Sequence, residues 1–170
     1  MSSLSRRDNS RAEEIELLQW LHDFVSEFRE RRRLTDDALT MDAPASADLR
    51  VRVDPAHLHQ ILWNLSENAL RHGQPLEAAP GPIVKFRVTL SGRPERVELE
   101  ILDRGPGVSA EIAEHIFEPF YTSNPRGTGL GLFIARELCE CNHARLAYRQ
   151  RAGGGSCFRI LFNNPEGWFT

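Results

Sequence analysis

The sequence contains no apolar run close to the roughly 20 residues that a membrane-crossing helix needs. Its first residues, Met1–Arg7, lack the apolar segment that defines a signal peptide. The net charge of −3 provides none of the strong positive field by which proteins attract nucleic acid. Together these absences predict a soluble protein of the cytoplasm with no nucleic-acid partner.

Cysteine is also scarce, with three residues at Cys139, Cys141 and Cys157. An odd number of cysteines cannot all pair with one another. Cys139 and Cys141 are two positions apart, so on a helix their side chains point about 200° away from each other and suit a shared metal poorly. We therefore expect free thiols in a reducing compartment.

What the sequence does contain is the composition of an ordinary globular domain, with 170 residues, 41% hydrophobic and 26% charged. Between Arg11 and Arg33, apolar residues recur every three or four positions, which predicts one amphipathic helix. Its last residues, 29–33, suit a helix C-terminus but are also compatible with a basic patch for anionic lipid or nucleic acid. Such a helix needs a partner, either the following domain or a second chain.

The remainder alternates between strand-like and helix-like segments. Asp54 followed by Pro55 predicts a capped helix start, and alternating apolar residues from Val84 to Leu102 predict a hairpin with one buried and one wet face. The other predicted elements are strands near Leu39 and at 50–53, helices at 109–117 and 129–142, and strands at 145–150 and 156–162. This pattern predicts an α/β two-layer sandwich, with a mixed, mostly antiparallel sheet and helices on one face.

Three polar residues on the helix after Pro55 are spaced by four. Asn64, Asn68 and His72 therefore line one stripe beside the apolar residues. A buried amide needs several hydrogen-bond partners, and an amide oxygen is a good ligand for Mg²⁺. Viewed alone, however, the stripe is better explained as polar residues on a helix surface.

Asp103 ends a predicted strand and is followed by Gly105 and Gly107. A carboxylate at a strand end can accept a hydrogen bond from an exocyclic amine such as that of adenine, and glycines let a base approach the backbone closely. On its own, this segment is also an ordinary turn. A second glycine-rich turn precedes Ser156, whose hydroxyl can reach the pocket beside Asp103.

A third segment resembles a phosphate cradle. Gly127, Gly129 and Gly131 precede an apolar helix, so bare backbone amides gather at a positive helix end. The spacing is neither that of the dinucleotide-binding fingerprint nor that of a P-loop. Thr122 and Arg126 lie in a glycine-bounded segment that can close over phosphates as a mobile lid.

These segments occur in the order of a known family. They resemble the N box of histidine kinases at 64–69, the G1 box at 103–107, the F box at 117–120, the G2 box at 127–132 and the terminal glycine-rich hairpin at 153–158. The match extends from about Leu39 to Phe162, and its specificity lies in the combination, since each box alone is weak to moderate. The chain thus resembles the GHKL superfamily, whose ATP site is the Bergerat fold. Within it, the chain looks most like the nitrogen-sensor subclass of sensor histidine kinases, in particular those that control type IV pilus genes.

The resemblance implies a site for ATP and Mg²⁺. It makes Asn68 the metal ligand, Asp103 the residue that reads adenine, and the glycine-rich segment the cradle of the triphosphate. The complete set of ATP-binding residues that it implies is Asn64, Asn68, Arg71, His72, Asp103, Gly105, Gly107, Thr122, Arg126, Gly127, Thr128, Gly129, Leu130, Gly131 and Ser156.

The resemblance also separates kinase from ATPase. In the ATPase branches of the superfamily, a Glu that activates water occupies the position of Asn64. An amide cannot act as a general base, so ATP is expected to survive until a histidine is presented. Glu67 points about 100° away from Asn68 and is not expected to act as the general base. The family's phosphoacceptor motif has a proline four residues after its histidine, and His22 lacks it, so the catalytic histidine is expected to be absent.

The resemblance therefore implies a protein-histidine kinase fragment that cannot phosphorylate itself alone. Residues 1–34 would be the helical remnant of the dimerisation domain with its linker, and residues 35–170 the ATP-binding catalytic domain. Implied partners are the phosphoacceptor domain of the same kinase, a response regulator, and a second copy in the full-length protein. That protein would lie in the bacterial inner membrane, with this domain on the cytoplasmic side. Two alternatives are a serine kinase of the anti-sigma-factor type and a nucleotide-binding module without catalysis.

Overall fold

A five-stranded sheet forms the centre of the fold. The computed structural model describes residues 11–45, 48–72, 74, 81–93, 95–122 and 128–163. Along the chain, the elements are β1 (Glu13–Glu16), α1 (Leu17–Arg32), β2 (Leu39–Asp42), β3 (Arg50–Val53), α2 (Pro55–His72), β4 (Val84–Ser91), β5 (Arg96–Asp103), α3 (Ala110–Ala113), α4 (Gly131–Cys141), β6 (Arg145–Gln150) and β7 (Ser156–Leu161). The sheet has the order β2-β4-β5-β7-β6, in which β2 and β4 are parallel and all other pairs are antiparallel. The predicted mixed, mostly antiparallel sheet is confirmed.

The inner face of the sheet packs against helices, because its strands alternate as predicted. On β4, Val84, Phe86 and Val88 are buried. The apolar stripe of α2 is buried as well, and Asp54 caps this helix through Oδ1, which accepts hydrogen bonds from the backbone amides of Ala56 at 2.9 Å and His57 at 3.4 Å. None of the described helices is both long and apolar enough to cross a membrane.

The outer face of the sheet differs from the predicted wet face. Glu98 and Glu100 on β5 are only 5% and 4% exposed. They are covered because β5 is the central strand, so arginines on both neighbouring strands and on β6 reach across it. Arg149 binds Glu100 at 2.6 Å, and Arg159 donates a hydrogen bond to Glu98 that holds the pKa of this carboxyl below its usual value. An arginine layer thus takes the place of helices on this face.

The three cysteines are free and buried, in agreement with the expected reduced thiols. Cys157 lies under the arginine layer, where its thiol donates to Glu100 at 3.0 Å. Burial raises the pKa of Cys157 to about 12, and the hydrogen bond to the Glu100 carboxylate adds to this shift. The group is therefore a protonated donor at neutral pH. In the described part of the chain, no group of three or more candidate ligands suits a metal ion.

The predicted helix start at Arg11 is wrong. Residues Glu13–Glu16 form strand β1 instead, which pairs antiparallel with β3 in a separate two-stranded sheet. The helix begins only at Leu17, because Glu16 caps it by accepting hydrogen bonds from the backbone amides of Leu18 and Gln19. It ends at Arg32, and the following residue, Arg33, caps it in the left-handed conformation.

Helix α1 packs into the same core as the strands. Phe24 and Phe28 are 2% and 0% exposed, and they form an aromatic cluster with Trp63 of α2 and Phe86 of β4. Of the two partners that the sequence left open for this helix, it contacts the following domain. The predicted boundary at residue 34 is therefore not a boundary in the packing, since a continuous hydrophobic cluster crosses it.

Two further helices are shorter than predicted. The predicted helix at 109–117 is α3, with four residues, and turns follow it. The predicted helix start at Gly129 moves to Gly131, because Gly129 has a φ of +70° that no helix permits. Gly129 therefore belongs to the turn in front of α4 and not to the helix.

We expect Phe28→Ala to destabilise the whole domain by about 3–5 kcal/mol, since it deletes a fully buried aromatic side chain. The measurement is urea unfolding followed by tryptophan fluorescence and by far-ultraviolet circular dichroism. Because α1 shares the core, both signals should move together to a lower midpoint.

Leu90→Ala serves as the control for this experiment, because Leu90 is 43% exposed at the end of the hairpin and its loss should cost little. Two separate transitions in Phe28→Ala, with the fluorescence change preceding the rest, would show that α1 is only loosely attached.

Candidate nucleotide-binding site

Asp103 ends β5 and is buried, with 3% of its surface exposed. Its Oδ1 accepts hydrogen bonds from the backbone amides of Gly105 and Ser156, each at 3.0 Å. Burial raises the pKa of Asp103, while the two amides and the charges of Arg151 and His72 oppose that shift. Within the described residues, no hydrogen bond reaches Oδ2, so this oxygen can accept one from a ligand.

Two glycine turns meet beside Asp103. A Cβ on Gly155 would lie 2.2 Å from the carbonyl oxygen of Asp103, and a Cβ on Gly107 would lie 3.1 Å from that of Gly155. Both glycines also have positive φ. The sequence assigned Gly107 to close approach by a base and Gly155 to a hairpin turn, and the structure shows that both permit close approach of one turn to the other.

The sequence predicts that the hydroxyl of Ser156 can reach the pocket beside Asp103, and in the structure this hydroxyl contacts Tyr148. It lies 3.3 Å from the hydroxyl of Tyr148, which in turn accepts a hydrogen bond from the backbone amide of Val108 at 3.0 Å. Ser156 therefore contacts Asp103 through its backbone. Through Tyr148, its hydroxyl also anchors Val108, which follows the glycine turn after Asp103. Tyr148 was missed by the sequence analysis, because an aromatic residue at an inward strand position looks like any core residue.

The asparagine stripe of α2 lies against the start of α4. The side-chain amide of Asn64 donates to the carbonyl oxygen of Gly131 at 3.0 Å, and its Oδ1 accepts from Gln60 at 2.7 Å. Asn68 is half-buried one turn further on, and its side chain makes no hydrogen bond to the described residues. Glu67 pairs with Arg32 of α1 at 3.2 Å, which holds its carboxylate on the side of that helix.

The last turn of α2 brings the stripe to Asp103. Arg71 and His72 are exposed there. Partial burial of the ring and the charge of Arg71 lower the pKa of His72, whereas the Asp103 carboxylate opposes this shift. His72 is one helical turn, about 6 Å, beyond Asn68. The charges of His72 and Asp103 influence each other, and α2 packs against both β5 and α4, so the polar stripe of α2 ends close to Asp103.

The N-terminus of α4 has no side-chain cap. The amide of Leu130 is engaged by Thr128 Oγ1 at 3.3 Å, while the amides of the first helical turn lack partners within the helix. The turn in front is fixed by Gly129, whose carbonyl accepts a hydrogen bond from Phe120 at 2.9 Å. An uncapped helix start with its positive dipole end is the arrangement that binds phosphate.

The predicted lid lies largely outside the described residues, and this applies to Arg126 and Gly127. Thr122 and Thr128 border that gap, and both are exposed. Phe120, next to it, is 74% exposed and has a φ of +66°.

A second clamp joins α2 to α4 at their other ends. Asn142 is 2% exposed, and its Oδ1 accepts from the backbone amide of Asp54 at 2.8 Å. Its amide nitrogen donates to the carbonyl of Leu138 at 2.7 Å and lies 3.0 Å from His57 Nδ1. No sequence pattern signals this contact, because Asn142 resembles an ordinary residue at a helix end. The contacts of Asn142 fix the register between α2 and α4.

Over residues 53–166, the chain matches the family described as histidine kinase-, DNA gyrase B- and HSP90-like ATPase. The chain belongs to this family. The predicted membership is confirmed. In the structure, residues 64–69 lie on α2, Asp103 ends β5 and Gly131 begins α4.

The relatives of this family member are sensor kinases. The sensor protein kinase PilS of Pseudomonas aeruginosa is 42% identical over 163 residues, which are 96% of this chain and 30% of PilS. The C4-dicarboxylate transport sensor protein DctS of Rhodobacter capsulatus is 30% identical over 143 residues, 76% of this chain and 21% of DctS. The chain thus spans less than a third of the length of either relative.

Solved structures give the same fold. The catalytic domain of the histidine kinase ThkA superposes with a TM-score of 0.70 at 26% identity, covering 89% of this chain and 95% of that domain. Residues 1–34 are a fifth of this chain, so a match over 89% includes part of them. This agrees with the packing of α1 inside the domain core.

We expect Gly129→Ala to weaken binding of an ATP analogue at least about tenfold, because a Cβ there would lie 2.5 Å from the backbone carbon of Phe120. The clash is with backbone, so the turn in front of α4 must move and its amides must move with it. Calorimetric titration measures the effect, and a thermal melt checks that the domain remains folded.

Gly153→Ala is the matched control for this change. Its φ of +86° imposes a similar conformational cost, but no atom lies within 4 Å of the added methyl group. Equal affinities in the two variants would show that the contact between Gly129 and Phe120 does not shape the site.

Proposed function

We propose that this domain binds ATP together with Mg²⁺ and is the catalytic part of a sensor histidine kinase. The observation that carries the proposal is the packing of α2, with its half-buried Asn68 amide, against both β5, which ends at the buried Asp103 carboxylate, and α4, whose start is uncapped. Asp103 Oδ2 would accept a hydrogen bond from the adenine amine. The amides at the start of α4 would bind the phosphates, with Arg71 and His72 at the phosphate side.

The residues fit a magnesium ion. Asn68 offers a neutral oxygen that no described residue engages, which suits an ion that keeps most of its waters and shares the nucleotide's phosphates. When bound, the ion would neutralise charge on the phosphates. The protein's own contribution is to hold the nucleotide in place and to keep its γ-phosphate accessible from outside.

The arrangement supports a kinase rather than a hydrolase. Asn64 occupies the position where a general base would stand, and both ends of its amide are already engaged. Glu67, the nearest carboxylate on α2, is paired with Arg32. Without a base to activate water, the γ-phosphoryl group is preserved for a histidine on the phosphoacceptor domain. A response regulator would then receive it.

The relatives suggest the wider setting. The similarity to PilS supports a role in a two-component system that controls type IV pilus genes. In that setting the full-length protein would be a dimer in the inner membrane, with this domain on the cytoplasmic side. Because α1 is part of the domain core, we propose that the catalytic domain includes residues from Glu13 onward, and that any remnant of the dimerisation domain precedes them.

We expect Asp103→Asn to abolish most of the preference for ATP over GTP. Asparagine can keep an oxygen toward the amides of Gly105 and Ser156, but it then presents an NH₂ group to the adenine amine, and two donors repel each other. The cost of one lost hydrogen bond to a charged group is about 1.5–3 kcal/mol, or about 10- to 100-fold in affinity. Calorimetry with non-hydrolysable analogues of both nucleotides measures the ratio.

Asp42→Asn is the control, because Asp42 is an exposed carboxylate on β2. In the same series, Asn68→Ala should reduce the gain in affinity that Mg²⁺ confers and leave metal-free binding nearly unchanged. An unaltered nucleotide preference in Asp103→Asn would refute the assignment of the adenine site.

Transfer is tested with a separately supplied dimerisation domain. We expect radiolabel from [γ-³²P]ATP to appear on that domain and to be lost in acid, because phosphohistidine is acid-labile whereas phosphoserine is stable. Acid-stable label would instead identify a serine kinase. Nucleotide binding without any label would indicate a binding module.

A further inference from the structure

A second polar cleft lies at the end of the sheet away from Asp103. Its volume is about 620 Å³, within the range of about 300–1,000 Å³ that small-molecule sites occupy. It is lined by Arg96, Arg136, Glu140, His143, Ala144, Arg145, Leu146, Leu161 and Asn163. Three arginines against one glutamate make the cleft locally basic, although the chain as a whole has a net charge of −3.

Two of the three arginines of this cleft make no polar side-chain contact with the residues that the structure describes. In the described part of the chain, no ion pair or hydrogen bond engages the side chain of Arg96 or of Arg145. They differ in this respect from Arg149 and Arg159, which cover the glutamates of β5. Two arginines left without an anion at one cavity are available to a ligand.

The third arginine is held in place by its neighbours. Arg136 lies over the ring of Phe117, 5.7 Å from its centroid, and makes an exposed ion pair with Glu140 at 3.4 Å. Such a contact limits the freedom of the guanidinium. Leu146 is nearly buried in the cleft wall, and an apolar wall strengthens the attraction between the arginines and an anion.

The cleft is separate from the proposed nucleotide site. Arg96 begins β5 and Asp103 ends it, so seven residue steps of about 3.3 Å place them about 23 Å apart. Arg136 lies further along α4 from the phosphate-binding start of that helix, and Arg145 begins β6 at the same end of the sheet as Arg96.

We propose that this cleft is a second ligand site, which binds a small polyanion carrying two or more phosphate or carboxylate groups. Arg96 and Arg145 bind its anionic groups through paired N–H donors, and Arg136 contributes a third positive charge. The site does not depend on ATP binding, so the failure of either proposal leaves the other intact.

The test is titration of the ¹⁵N-labelled chain with sodium pyrophosphate at low salt, without Mg²⁺ and followed by NMR. We expect saturable shifts of the backbone amides at 143–146 and 161–163. The variant Arg96→Gln/Arg145→Gln should bind about tenfold more weakly for each arginine removed. A parallel titration with sodium citrate distinguishes a phosphate site, which responds to pyrophosphate alone, from a general polyanion site, which responds to both.

A matched control removes two arginine charges at a distant place in the molecule. Arg31→Gln/Arg33→Gln alters exposed arginines at the end of α1, which packs near β2 at the opposite edge of the sheet from β6. This variant should bind pyrophosphate as the unmodified chain does. Equal weakening in both double variants would mean a diffuse charge effect and would overturn the proposal. Shifts confined to 128–131 would overturn it too, because the probe would then occupy the nucleotide's phosphate site.

Discussion

The candidate site depends on one buried carboxylate, Asp103, which is held in position by hydrogen bonds from the protein backbone. Asp103 Oδ1 accepts the amides of Gly105 and Ser156, and so joins the end of β5 to the start of β7 across 53 residues of sequence. Two backbone donors would otherwise be buried without partners, at a cost of about 1–3 kcal/mol each. The position of Oδ2 is thus fixed by folding, and binding need not supply the energy to orient it.

The two helices beside this carboxylate are joined by amide side chains at two places along their lengths. Asn64 joins the middle of α2 to the first residue of α4, and Asn142 joins the start of α2 to the residues after α4. Apolar contacts are non-directional, so they leave two packed helices some freedom to slide past each other. Directional hydrogen bonds at two points remove that freedom, so the α4 amides stay aligned with Asn68.

The sequence was most informative where its signal was local. The start of α2 follows from Asp54 and Pro55, and the five motifs identify the family. It failed where a contact between distant residues decides the outcome. Ile15 fits a helical stripe and a strand equally well, and only pairing with β3 makes residues 13–16 a strand. Likewise, the burial of Glu98 depends on an arginine 61 residues away.

Asn64 shows how structure and chemistry constrain the same residue. Its NH₂ group donates to the Gly131 carbonyl, and its oxygen accepts from Gln60. A glutamate there would supply a base for water, but it would also set a carboxylate against a carbonyl oxygen, and two acceptors repel each other. The contact that fixes the start of α4 would be lost at the same time. One amide in this chain therefore both aligns the start of α4 and leaves no general base at position 64.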